Sequence, residues 1–380
     1  MNDLQKRTWA EISLANIRHN YEAIRAALPA GCRFLGVVKA DAYGHGALPV
    51  SRLLQDAGAD YLAVSCLDEA IELREGGIRM PILILGHTPP EYTELLIDQN
   101  ITQTVSALAK AREYSAAAAA LGKTLKVHLK LDTGMSRLGF LCAGDYYEKG
   151  VENVIASCKL PNLESEGVYT HFAVSDEDGE ENEAYTREQF RLFCAVIDAA
   201  RERGGVEFAI RHCANSGAVL HYPEMALDMV RPGLLLYGYG DNGQLGLRPC
   251  MRLVTTVSTI KHYEAGTSVS YGRHFVTGRH TRMGVLAIGY ADGLPRILSN
   301  RCSFYTVGGM APQRGNICMD MCMADLTELP QVDVGSEVEI FGEHNSVEEL
   351  AAAAGTISYE LLCAVSKRVP RVYGEETGGK

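Results

Sequence analysis

The stretch Phe34-Leu35-Gly36-Val37-Val38-Lys39-Ala40-Asp41-Ala42-Tyr43-Gly44-His45-Gly46 sets the reading of the whole chain. A short apolar run with two adjacent valines is the pattern of a buried strand. It ends on a lysine, and a loop holding two glycines leads to a helical pattern beginning near Ala47. Strand termini are where an α/β fold delivers side chains to its site. Lys39 could simply step into solvent there, since lysine is seldom buried unless paired. It could instead hold an aldehyde cofactor as a Schiff base, the covalent use of a desolvated lysine.

Outward from that strand, Tyr61–Val64, Ile82–Leu85, Ile101–Thr104, Leu125–Leu131, Leu163–Tyr169, Glu207–His212 and Ala226–Val230 read as further short strands. Helical patterns such as Asp68–Glu75, Ala107–Leu121 and Glu183–Arg203 lie between them. Eight strands, each followed by a helix, is the count for a closed parallel (β/α)8 barrel whose chemistry gathers at the C-terminal strand ends. An open doubly wound sheet is the alternative. After Tyr237 the texture changes to runs rich in Val, Ile, Thr and Met between glycine turns. Met251–Tyr263, Thr267–Tyr271, Arg282–Tyr290, Cys302–Val307, Asn316–Asp325 and Glu337–Phe341 read as strands of a mostly antiparallel β-domain, with helices at Val347–Ala354 and near Tyr359–Val365. The expected domains are a barrel over 1–240 and a β-rich domain over 241–380, with Trp9–Leu14 as a strand that crosses back to the second.

The totals agree with a two-domain enzyme. At 380 residues the chain exceeds what one core normally supports, and 47% apolar with 22% charged residues is ordinary for a globular protein. A net charge of −11 without a basic stretch argues against a nucleic-acid surface. The start MNDLQKRTWAEISL lacks the apolar core of a signal peptide, and no run approaches membrane-spanning length. Eleven cysteines, an odd number without a framework, suit reduced thiols, and Cys318 and Cys322 are too isolated for a metal site. A cytoplasmic, metal-free protein is the expectation. Gly238, Gly240 and Gly243 spell GxGxxG, but QLGLRPCM follows, with Gly246 and Pro249, and offers no helix for a pyrophosphate.

The strand ends carry the candidate chemistry. Lys130, Asp132 and Arg137 cluster in KLDTGMSRLG, where a guanidinium fork suits a carboxylate, although such runs are often solvated charge clusters. His171 stands alone in YTHFA. Asn215-Ser216 precedes a short helix, as either an ordinary cap or an anion site. Arg231 sits in MVRPGL. The second half adds Val269-Ser270-Tyr271-Gly272, Ile288-Gly289-Tyr290-Ala291-Asp292-Gly293 and Cys318-Met319-Asp320, each weak alone.

Together, in this order, VVKADAYGHG, MDTGMxRLG-like KLDTGMSRLG, THFA, MVRPG and the tyrosine segments closely resemble the alanine racemase family over nearly the whole chain. The resemblance implies pyridoxal 5'-phosphate on Lys39, with Tyr43, His171, Asn215, Ser216, Arg231, Gly233, Leu234 and Lys367 around the cofactor. It implies Lys39 and Tyr271 as two bases on opposite faces, and Arg137, Met319 and Asp320 at the substrate. Lys130 matches a position often carbamylated, where it orients the arginine, and Tyr290 matches a gate. An arginine opposite the pyridine nitrogen cannot hand over a proton, which weakens the electron sink and favours reprotonation over transamination. The phenol of Tyr271 must be helped to ionise to work near neutrality, with His171 and Arg231 as the candidate relay. The implied activity interconverts L- and D-alanine, supplying D-alanine for peptidoglycan, in a homodimer whose sites are shared between subunits. Two positions depart from the family pattern: Asn316 stands where an arginine is common, and Lys367 where many members have a tyrosine. They leave a serine or broad small-amino-acid racemase as an alternative. A barrel-type decarboxylase, which has an acidic residue at the nitrogen, and a barrel-only cofactor-homeostasis protein are disfavoured by Arg231 and by the β-domain.

Overall fold

The computed structural model describes residues 7–374. They fall into two compact units: residues 18–42 with 47–247, and residues 43–46 with the described parts of 1–17 and 248–380.

In the first unit eight parallel strands follow one another around a ring: Arg33–Val37, Tyr61–Val64, Ile82–Ile84, Ile101–Val105, Leu125–Asp132, Leu163–Tyr169, Ile210–His212 and Met229–Val230. Each pairs with the next up to Ile210–His212, and Met229–Val230 pairs back onto Arg33–Val37. Two backbone bonds, Asp228 N–H to the Arg211 carbonyl and Arg231 N–H to the Ala214 carbonyl, close the last gap. Every residue of Tyr61–Val64, Ile82–Ile84 and Ile101–Val105 is buried, as expected of strands covered on both faces. That is the reason these segments read as continuous apolar runs rather than as alternating ones. The helix Glu180–Gly204 carries Glu180, Glu181 and Glu183 in its first turn and Arg201 and Arg203 in its last, so its charges complement the helix dipole at both ends.

The second unit is organised on the long strand Met251–Tyr263. It pairs antiparallel with Thr8–Ser13, Thr281–Leu286 and Glu337–Phe341. Thr8–Ser13 also runs parallel to Arg371–Gly374. Four strands are shorter than their patterns suggest: Ser268–Val269, Thr281–Leu286, Ser303–Thr306 and Cys322–Asp325. The residues released, 287–291 and 316–321, are drawn into loops clasped on each other. Tyr290 N–H and Ala291 N–H donate to the carbonyls of Cys318 and Met319. A Cβ at Gly289 would lie 2.3 Å from the Cys318 oxygen, so the clasp requires glycine there.

Candidate active site

Lys39 does not open an ordinary glycine loop. Ala40, Asp41 and Ala42 adopt φ/ψ of 52/51, 54/46 and 53/50°, and Tyr43 has φ 53°, a left-handed turn built without glycine. Such residues cost roughly 1–2 kcal/mol each, so the surroundings must impose the shape. Glu69 does much of this. One carboxylate oxygen accepts from Ala40 N–H at 2.6 Å and the other from Ser65 N–H at 2.6 Å, tying together the ends of the first two barrel strands. Asp41 accepts from Ala47 N–H at 2.7 Å, and Ala42 N–H donates to the Val38 carbonyl at 2.9 Å. Glu69→Ala is expected to lower stability by about 1–3 kcal/mol, the worth of charge-assisted bonds to a half-buried carboxylate. Glu69→Gln, which keeps one acceptor, should lose less. Urea unfolding of the three proteins checks this, and coincident midpoints would show that the turn is held by other contacts.

Around Lys39 in the same unit stand Lys130, Arg137, Arg231 and His171, whose charges act on one another. Lys130 is buried, and burial, then Arg137, Arg231 and Lys39, pull its ammonium down to about 7 against the opposing charge of Asp132. An amine brought down into the neutral pH range is in part unprotonated and nucleophilic there, which suits the modification expected at this position. Arg137 lies exposed in the turn after Leu125–Asp132. Asp132 does not pair with it; its carboxylate accepts from the amides of Gly134 and Ser136, both at 3.0 Å. Four basic side chains therefore share one carboxylate that is already engaged. Burial, followed by Arg231 and Lys130, holds His171 well below the ordinary imidazole range, so the ring is neutral.

Arg231 is fully enclosed and contacts acceptors only. It donates to the Thr170 carbonyl at 2.7 Å, the Cys213 carbonyl at 3.1 Å, His212 Nδ1 at 3.1 Å and, at 3.4 Å, His171 Nδ1. Tyr169 underlies the group: its ring stacks on His212 with centroids 4.8 Å apart, and Arg231 and Lys130 lie over it at 5.2 and 5.5 Å. Of five guanidinium N–H groups, Nε–H and one on Nη1 take no partner among the described residues.

Asn215 caps the helix Ser216–His221, its side-chain oxygen accepting from Ala218 N–H and from Ser175 Oγ. Ser216 Oγ accepts from Gly233 N–H at 3.0 Å and lies 3.5 Å from the Leu235 amide. Hydroxyl and amides from two barrel loops are thus gathered at one point, with Leu234 opening the 3-10 turn Leu234–Tyr237 beside it.

The remaining candidates belong to the second unit. Tyr271, 71% exposed, occupies a tight turn between Ser270 at φ 67° and Gly272 at φ 73°. The Asn316 amide donates to the Tyr271 carbonyl at 2.6 Å, and Ser270 Oγ donates to the Asn316 carbonyl at 2.6 Å. Through the clasp described above, Tyr290, Met319 and Asp320 join the same exposed rim, and Arg368 fixes the Asp320 carboxylate at 2.8 Å. Tyr43 is buried, and burial followed by Tyr359 pushes its phenol up, so it keeps its proton. Tyr359, whose ring centroid is 5.9 Å from that of Tyr43, was not singled out by its sequence; nothing local separates it from any helix-start tyrosine. Lys367 sits exposed in a turn of the same unit.

Comparison with known proteins decides the family. The family model described as the alanine racemase N-terminal domain matches residues 12–241, and that of the C-terminal domain matches 250–373. Alanine racemase of Desulfovibrio desulfuricans is 44% identical over 99% of this chain and 100% of its own length. That of Desulforamulus reducens is 43% identical over 97% and 100%. The chain belongs to the alanine racemase family. Among solved structures, alanine racemase of Clostridium difficile superposes with TM-score 0.92 at 40% identity, covering 98% of this chain and 97% of that one. The Bacillus anthracis enzyme with bound L-Ala-P gives 0.87 at 33% identity, covering 98% and 96%.

Alanine racemases depend on pyridoxal 5'-phosphate, and the donors here fit that group. The basic side chains of Lys39, Lys130, Arg137 and Arg231, set in one unit, suit an anion. The gathered hydroxyl and amides suit phosphate oxygens. A guanidinium with donors to spare and no carboxylate suits an unprotonated ring nitrogen. Asn316, in place of the arginine common in alanine racemases, is accounted for locally as the clamp on the Tyr271 turn.

Proposed function

We propose that the chain interconverts L- and D-alanine, with Lys39 and Tyr271 as opposed bases. The full-length match to curated alanine racemases through both of their domains carries the reading. The cofactor would be held by Lys39 at its aldehyde, by Ser216, Tyr43 and the amides of Gly233 and Leu234 at its phosphate, and by Arg231 at its ring nitrogen, with His171, Asn215 and Lys367 alongside. When bound, it takes up the electron pair left on the α-carbon. Arg231 keeps its own protons and would leave the ring nitrogen without one, which would favour return of the proton to the α-carbon. Arg137 would hold the substrate carboxylate, steadied by the carboxylate that carbamylation of Lys130 would create, with Met319 and Asp320 near it. Lys39 moves the α-proton on one face and Tyr271 on the other, while His171, neutral and bonded to Arg231, steers Tyr271. Tyr290 narrows the entrance.

Tyr271, Tyr290, Met319 and Met321 present an exposed, partly apolar rim within one chain. A homodimer in which that rim completes the partner's barrel site accounts for it. The barrel limits near 240 and the β-domain beyond it are then the two halves of each composite site. Among the described residues no helix is long and apolar enough to cross a membrane. A cytoplasmic enzyme supplying D-alanine for peptidoglycan is the reading that suits the rest. Serine is the second substrate to consider, because Lys367 departs from the family pattern. Circular dichroism of L-alanine and L-serine incubated with the purified protein should show the alanine signal decaying to zero, faster than that of serine. A stable alanine signal beside a decaying serine signal would overturn the substrate.

A further inference from the structure

The hydrogen bonds of Arg231 continue past His212 through the barrel interior. A guanidinium only donates, so His212 Nδ1, 3.1 Å from Arg231 Nη1, accepts and carries no proton. Burial, then Arg231 and His128, hold His212 well below its ordinary range, so the ring is neutral and its proton sits on Nε2. That nitrogen lies 2.9 Å from His128 Nδ1, which must therefore accept. Burial also keeps His128 neutral, leaving its proton on Nε2, 3.2 Å from Glu166 Oε2. The same oxygen accepts from the Tyr61 hydroxyl at 2.5 Å, and Oε1 accepts from Lys126 Nζ at 3.1 Å. Burial alone would raise the Glu166 carboxyl, yet these bonds from His128, Tyr61 and Lys126 hold it down to about 2. One proton arrangement satisfies every contact: a cation, two neutral Nε2–H imidazoles and a carboxylate, with all donors pointing from Arg231 to Glu166.

The backbone is shaped for this line. The register between Leu125–Asp132 and Leu163–Tyr169 slips between Val127 and His128, setting His128 opposite Gly167. A Cβ at Gly167 would lie 2.6 Å from the His128 ring, so only glycine leaves the imidazole its place.

We propose that Glu166 is a positioning residue for Arg231, acting through His128 and His212. Its charge anchors the end of the line opposite Arg231, reinforcing the Nε2–H tautomer of each ring, and so helps to keep His212 Nδ1 open to the guanidinium. If the carboxylate is neutralised, the rings are released to the other tautomer. A proton on His212 Nδ1 then confronts Arg231, whose remaining donors shift from the ring nitrogen. The proposal rests on the reading that Arg231 serves that nitrogen, and the test separates the two.

In nitrogen-15 histidine spectra of the holoenzyme, two buried rings in mutual through-space contact should be neutral with the proton on Nε2 from pH 6 to 9. Either ring carrying its proton on Nδ1, or on both nitrogens, would overturn the proposal without any variant. Glu166→Gln should shift the absorbance of the bound cofactor and raise the share of pyruvate formed from alanine. It should also lower kcat about tenfold with KM nearly unchanged, the scale of a lost outer-shell contact. A merely structural Glu166 would lower the melting temperature and move none of these. Arg231→Lys is the control. If it shifts absorbance and pyruvate share but Glu166→Gln does not, the relay fails and the cofactor reading stands. If Arg231→Lys shifts neither, Arg231 is not at the ring nitrogen and both fail. If Glu166→Gln does not fold, the tautomers of the unmodified enzyme decide.

Discussion

Lys39→Ala should abolish racemisation, by at least about 10³-fold, because in the proposed scheme this one side chain would supply both the covalent attachment and one of the two bases. Lys39 is half-buried at a strand end, and its charge acts on that of Lys130 together with those of Arg137 and Arg231. The variant should also lose the near-visible absorbance of the lysine-bound cofactor, and borohydride should no longer fix cofactor to the chain. Cofactor held without that link by the phosphate-facing groups would absorb near the free aldehyde, and that result is compatible with the assignment. A band undiminished and still reducible onto the protein would place the attachment on another lysine.

Lys39→Ala and Tyr271→Phe, each inactive as a homodimer, should recover activity when mixed. Lys39 lies in the first unit and the exposed Tyr271 in the second. In a two-fold dimer each site would take one from either chain. After subunit exchange half the dimers are hybrids, with one site carrying both lesions and the other none. Activity should then return to about a quarter of wild type by this counting. If both bases came from one chain, every hybrid site would keep a lesion. No recovery, with exchange confirmed by mass, would reject the shared site and leave the racemase reading intact.

The barrel was legible because its strands are buried on both faces, so runs such as Tyr-Leu-Ala-Val at 61–64 stand out between helical patterns. Motif residues at strand ends were legible for the same reason: Lys39, His171 and Arg231 lie within two residues of such a run, and Arg137 lies in the turn that follows one. The left-handed turn after Lys39 was not legible. Alanine, aspartate and tyrosine do not favour that conformation, and its cause, Glu69, lies 29 positions from Ala40. The Glu166–His128–His212 line was hidden for a similar reason, since it depends on a register slip and on Gly167, neither visible in one strand alone. The segment Asn316–Asp325 is rich in Met, Ile and Cys and reads as a strand, yet only Cys322–Asp325 pairs, because the carbonyls of Cys318 and Met319 are taken by Tyr290 and Ala291. Asn316 looked like a lost charge and is a clamp on the Tyr271 turn.

Two bases on opposite faces make a prediction that no one-base scheme shares. Tyr271→Phe should lower racemisation by about 10²–10⁴-fold, the worth of one general base. Lys39 would remain to work its own face. In heavy water this variant, given L- and D-alanine separately, should exchange the α-hydrogen of one enantiomer at a substantial rate without inverting it, while the other enantiomer stays unlabelled. Proton magnetic resonance of the α-position follows both. Exchange of both enantiomers at equal rates, or racemisation close to wild type, would contradict opposed roles for Lys39 and Tyr271.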